Sequence, residues 1–151
     1  MKPHPVIILV AALLLAADRP TQDSPKKPGA IQGTWSVVSM QFQGKKVANE
    51  VFAKTKYIIR ADQIVTMNGK ETVKVTGYKL HPGKQPKEID LSPFKGLKKG
   101  RVNPGIYALE GDTLRICAPD SNAKGRPERP KEFATKAESD LILMVLRREK
   151  S

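Results

Sequence analysis

The chain has 151 residues, with 27 Lys plus Arg against 15 Asp plus Glu, a formal net charge of +12, one cysteine and two histidines. A single cysteine excludes an intramolecular disulfide framework, and because His4 sits in the N-terminal segment, His81 stands alone in the remainder. A His-based metal centre or a Ser-His-Asp triad therefore lacks its parts, and no metal or cofactor is expected.

Val6 to Ala17 is an unbroken run of twelve apolar residues ahead of the polar Asp18-Arg19. As a helix it would span roughly 18 Å, short of a hydrocarbon core of about 30 Å. It reads as a secretory signal over residues 1–17, with cleavage near Ala16 or Ala17, although a leucine occupies the upstream position where a small residue is preferred. An uncleaved anchor is the alternative. Export to a secreted or periplasmic location follows from the signal reading, with no transmembrane span after processing. Residues 18–30 begin with DRPTQDSPKKP, hold three prolines and carry no large apolar side chain, the composition of a tether. Residues 31–150 then have the length of one domain.

Trp35 to Phe42 is rich in β-branched and aromatic residues and reads as the first strand, closed by a turn at Gln43-Gly44-Lys45. Val47 to Lys54 is the one helical segment, with Val47 and Val51 four apart on one face. Thr55 to Arg60 and Gln63 to Met67 form a hairpin across Ala61-Asp62, and Asn68-Gly69 is a two-residue turn into the next strand because both residues tolerate positive φ. In Glu71 to Leu80, Val73 and Val75 share one parity while Tyr78 and Leu80 share the other, so a bulge at Thr76-Gly77 is expected. Lys87 to Leu91, Val102 to Glu110 and Thr113 to Cys117 are further strands, with a loop over Ser92 to Gly100. Ala118 to Ala137 is charged and proline-containing and reads as a mobile surface loop. The last strand, Leu141 to Arg148, is apolar on both parities, so its second face needs cover from the Val47 to Lys54 helix or from another molecule. About eight consecutive strands must dispose of their edges, which predicts an all-β fold: a small closed antiparallel barrel with one short helix.

Gly33-Thr34-Trp35-Ser36-Val37-Val38, Gly77-Tyr78-Lys79-Leu80, Pro86-Lys87-Glu88-Ile89-Asp90-Leu91, Gly105-Ile106-Tyr107 with Gly111-Asp112-Thr113-Leu114, and Leu146-Arg147-Arg148-Glu149 occur in this order. Over nearly all of Ile31 to Lys150 the chain resembles a family of exported lipocalin-like domains, the uncharacterised planctomycete domain. The resemblance implies the fold and an exported single-domain context, but no molecular activity. It is also similar to the wider lipocalin pattern, in which a Gly-x-Trp of the first strand packs beneath an Arg of the last. Here those positions are Gly33, Trp35 and either Arg147 or Arg148, which face opposite ways on a strand. A Trp on the barrel floor fills a large volume, and a guanidinium on its face adds a cation–π contact of about 0.5–2 kcal/mol. Gly33 lets the chain approach closely there.

The remaining chemistry is sparse. Cys117 alternates with Leu114 and Ile116 and reads as a small packed side chain, and Glu88 and Asp90 read as acidic residues on an outer face. Positive charge gathers at Lys26-Lys27, at Lys95, Lys98, Lys99 and Arg101, over Lys124 to Lys131, and at the C-terminus. The cluster of Lys95, Lys98, Lys99 and Arg101 is a candidate anion-contact surface for an envelope polymer or a protein partner. Specific nucleic-acid binding is not supported, because no aromatics interleave the basic clusters. Two non-enzymatic readings follow: a cell-envelope interaction domain whose barrel is packed solid, or a module holding a small hydrophobic or amphipathic ligand. Val37, Ile59, Val73, Val75, Tyr107, Leu114, Ile116 and Leu143 are bulky candidates for the lining and favour the solid barrel.

Overall fold

The computed structural model describes residues 30–93 and 100–150. The apolar N-terminal run, the tether up to Gly29, and Lys95, Lys98 and Lys99 lie outside the described residues.

The strands are β1 (Gly33–Phe42), β2 (Lys45–Lys46), β3 (Thr55–Ile59), β4 (Gln63–Asn68), β5 (Glu71–His81), β6 (Glu88–Pro93), β7 (Asn103–Glu110), β8 (Thr113–Pro119) and β9 (Leu141–Arg148), with one helix, α1 (Asn49–Phe52). The order is β2-β1-β3-β4-β5-β6-β7-β8-β9, and β1 also pairs with β9, from Trp35↔Arg148 to Phe42↔Ile142. All pairings are antiparallel, so β1 and β3–β9 close an eight-stranded barrel with β2 as an appendage. Closure removes the edges that a meander of this length would otherwise expose.

The registers give the barrel two distinct ends. One end, the floor, gathers the start of β1, the end of β9 and the turn between β7 and β8, because Trp35 pairs with Arg148 and Thr113 with Arg147. The other end, the mouth, gathers the end of β6, the start of β7 and the end of β8, because Leu91 pairs with Asn103 and Pro119 with Leu141. The interior core of Ile31, Trp35, Val37, Ile89, Tyr107, Leu114 and Leu146 is buried.

Five local expectations change. The bulge in β5 falls at Val73, where the pairing steps from Thr66↔Lys74 to Met67↔Thr72; the pairing with β6 runs without a break past Thr76-Gly77. Lys74 and Thr76 therefore face inward with Tyr78 and Leu80, while Val75 lies opposite Val65 on the outside and Val73 is 57% exposed. A second bulge sits at Val38 in β1. In α1, Val51 is 70% exposed and the buried anchor is Phe52. The segment after β8 is not a loose surface loop: Phe133 packs with Ile106, Cys117 and Leu143 in a second apolar cluster, so this segment covers the outer face of β9. Leu143 belongs to that outer cluster and not to the barrel lining.

Candidate ligand-binding site

The floor is closed by the residues that the Gly-x-Trp pattern singles out. Trp35 is fully buried and its indole N–H donates to the carbonyl of Ile31 at 2.8 Å. Arg148 lies over the Trp35 ring at 4.2 Å from its centroid, and donates to the carbonyls of Gln32 and Ala30 while its Nε sits 3.4 Å from the Asp112 carboxylate. Arg147 is exposed and takes no part. Gly33 holds φ at +134°, and a Cβ there would meet the Arg148 guanidinium at 2.9 Å. The guanidinium is thus packed and hydrogen-bonded at once.

Above this floor the described side chains do not fill the barrel. A cavity of about 660 Å³ runs down from the mouth as far as Ile59, which pairs with Gly33, with every strand of the closed barrel contributing to its lining, from Met40 on β1 to Leu146 on β9. That volume falls within the range of about 300–1,000 Å³ common to small-molecule sites. The wall is apolar where Ile59, Ile64, Ile116 and Met144 line it. The Tyr57 hydroxyl donates to Met144 Sδ at 3.3 Å, and burial pushes its phenol pKa up, so the ring presents an uncharged surface. Of the bulky lining candidates, Ile59 and Ile116 border the cavity; Val37, Tyr107 and Leu114 pack in the core; Val73, Val75 and Leu143 do not line the barrel.

The rim has a different chemistry. Lys74, Ser92, Arg101, Asn103 and Asp120 border the cavity there. Arg101 Nη2 donates to the carbonyl of buried Ala123, which fixes the guanidinium against the segment after β8. Its Nε is buried without a hydrogen-bond partner, and so is Oδ1 of Asn103, a residue only 8% exposed. Arg101, expected as one of four members of an exposed basic surface, is thus turned to the cavity; the other three lie outside the described residues. Asn103 was overlooked, although its place two residues before Gly105 and four before Tyr107 puts a polar side chain on the inward parity of β7.

The acidic pair Glu88 and Asp90 serves a structural purpose on the outer surface. Arg129, from the segment after β8, donates to Asp90 at 2.7 Å and to the Gly105 carbonyl at 2.7 Å, and lies 3.5 Å from Glu88. His81 Nε2 adds a contact of 2.8 Å to the other Asp90 oxygen. Burial opposes the charged form of Asp90, but the hydrogen bonds and charges of Arg129 and His81 outweigh it and hold the carboxyl below its ordinary range. Gly105 has no Cβ because one would stand 2.8 Å from that of Ala118. Cys117 is buried, and desolvation pushes its thiol up to about 11, which argues against a nucleophilic thiolate. Among the described residues no group of three or more His, Cys, Asp or Glu is placed to hold a metal ion.

No known protein family, curated protein or solved structure matches the chain.

Proposed function

We propose that this domain is an exported, non-enzymatic binding module that takes one small amphipathic molecule into its barrel through the mouth. The observation that carries this reading is the cavity of about 660 Å³, apolar in its wall and polar at its rim, lined by all eight strands and open at the mouth. An apolar wall left facing water gains from being covered. A ligand that covers it is bound through apolar burial, at about 25 cal/mol per Å² removed from water. The envelope-contact reading assumed a barrel filled by its own side chains, and of its four basic residues Arg101 is committed to the rim. The exported setting and the kinship with the planctomycete-type lipocalin-like domains belong to the same proposal, and they rest on the N-terminal apolar run and the ordered set of sequence blocks.

The test is native mass spectrometry of the domain purified from its own host, followed by titration of the delipidated protein with an environment-sensitive apolar fluorophore. One bound small molecule per chain, and saturable fluorophore binding abolished by Thr76→Trp, are expected, because Thr76 lines the cavity and a Trp there fills it. Absence of both a retained ligand and saturable binding in a folded wild-type protein overturns the proposal.

A further inference from the structure

Large apolar side chains left exposed are few in this domain, and they gather at one end. Among the described residues they are Val38, Val51, Val73 and Val102. Val38 stands on the barrel wall, at the bulge of β1. The other three stand at the mouth. Val51 lies on α1, between β2, which pairs with the end of β1, and the start of β3. Val73 lies beside the β4–β5 turn, and Val102 directly precedes Asn103, the first residue of β7. Two of these exposures have a structural cause. The segment around α1 spends Phe52 and Val47 on the core, which leaves Val51 outside, and the β5 bulge turns Val73 out as it turns Lys74 in.

The same end carries unpaired positive charge. The segments that build it, residues 43–54, 69–74, 101–102, 120–126 and 138–140, hold eight Lys or Arg against five Asp or Glu. None of the eight takes part in an ion pair among the described residues. The floor segments, residues 60–63, 81–88, 110–113 and 147–150, hold six against five, and Arg148 there is paired with Asp112. Each exposed valine of the mouth has a cation beside it. Lys54 follows Val51 by one turn, Lys74 follows Val73, and Arg101 precedes Val102, with Arg126 beside them along a shallow cleft.

We propose that the mouth of the barrel docks on an anionic lipid surface, with the three valines entering the head-group layer and the cations around them meeting lipid phosphates. This goes beyond ligand binding and holds whether or not the cavity carries a ligand. The fit is to a bilayer because the contact points are separate. Each valine stands on a different element with its own cation, and a fluid surface meets such points one at a time, whereas a folded acidic partner calls for a contiguous apolar patch. An anionic leaflet favours each nearby Lys or Arg by about fivefold, and burial of the valines adds to that attraction. Docking in this pose turns the opening of the cavity toward the bilayer and the Trp35 floor away from it.

The test is co-sedimentation of the full chain, purified from its own host, with vesicles of phosphatidylcholine alone and of phosphatidylcholine and phosphatidylglycerol in equal parts. Binding to the anionic vesicles that weakens with salt, and weaker binding to the neutral ones, is expected. Lys45→Gln with Lys46→Gln and Lys54→Gln should weaken it on the order of a hundredfold, at about fivefold per charge. Val51→Ser with Val73→Ser and Val102→Ser should weaken it about tenfold or more, because the apolar burial is lost. Arg60→Gln with Lys84→Gln and Lys87→Gln removes as much charge from the floor and should leave binding within about twofold. All nine positions are exposed, so melting temperatures should stay near wild type. Comparison of variants within one chain cancels any contribution of the apolar N-terminal run. No binding to anionic vesicles, or an equal loss from the floor variant, overturns the proposal. Undiminished binding of the valine variant also overturns it, and tighter binding to soluble polyglutamate than to the vesicles assigns the surface to an acidic polymer instead.

Discussion

The two ends of the barrel each place an arginine against an apolar interior, and they use it in opposite ways. At the floor, Arg148 is held by the Trp35 ring, two backbone carbonyls and Asp112, and Trp35 is fully buried. At the mouth, Arg101 borders a cavity that the described side chains leave open, keeps one bond to the backbone, and has its Nε buried without a hydrogen-bond partner. Satisfied groups and close packing make the floor the source of stability. Unsatisfied groups and missing volume are tolerable at the mouth only because the floor supports them, and the uncovered apolar wall is what gives a ligand something to gain.

Substitution at the floor should therefore be the most damaging. Trp35→Ala removes a fully buried indole and the surface on which Arg148 rests, and should cost about 3–5 kcal/mol. Thermal unfolding should show a fall of about ten degrees or more. A melting temperature within a degree of wild type would remove Trp35 from the core and with it the distinction between the ends.

The next largest effect lies outside the barrel, where Arg129 ties the segment after β8 to β6 and β7. Arg129→Ala leaves Asp90 without its nearest cation and should cost about 2–3 kcal/mol, the scale of hydrogen bonds to charged groups. Limited proteolysis should then cut residues 120–140 faster, while ligand affinity changes little. Unchanged proteolysis would show that Phe133 alone holds the segment.

A smaller effect concerns pH. The folded state holds the Asp90 carboxyl below its ordinary range, so this group's contribution is complete above that range and is lost as pH falls through the lowered folded-state value. Asp90→Asn should flatten the acid side of the stability profile and leave its slope above neutrality unchanged. An identical acid limb in the variant would show that Asp90 is not the titrating group. Smallest of all, Cys117 should resist thiol reagents at pH 8 in the folded protein, because burial lifts its pKa to about 11, and should react at once on unfolding in urea.

The floor was largely legible in the sequence and the mouth was not, for a physical reason. Turn chemistry at Gln43-Gly44 and Asn68-Gly69, and the Gly33-x-Trp35 block with paired arginines, are local signals that fix strands and cap. Only the choice of Arg148 over Arg147 needed the register of β9. The cavity is a global quantity, the difference between what eight strands enclose and what their inward side chains fill. Its misjudgement traces to β5, where Val73 and Val75 look like lining but a bulge at Val73 turns Lys74 and Thr76 inward. The segment after β8 misled differently: its prolines and charges resemble those of a free loop, and only the tertiary partners of Arg129 and Phe133 hold it down.

The central claim, a packed floor beneath a ligand-holding cavity, is tested most directly by methyl NMR of isoleucine-labelled domain titrated with the environment-sensitive apolar fluorophore. Ile59, Ile64, Ile116 and Ile142 line the cavity, whereas Ile31 and Ile89 lie in the closed core, Ile106 lies in the outer cluster, and Ile58 alternates with the lining residue Ile59 on β3. The account predicts saturable shifts at the first four residues and little change at the other four. Shifts centred on Ile31, Ile89 and Ile106, or spread evenly over all eight, would contradict it.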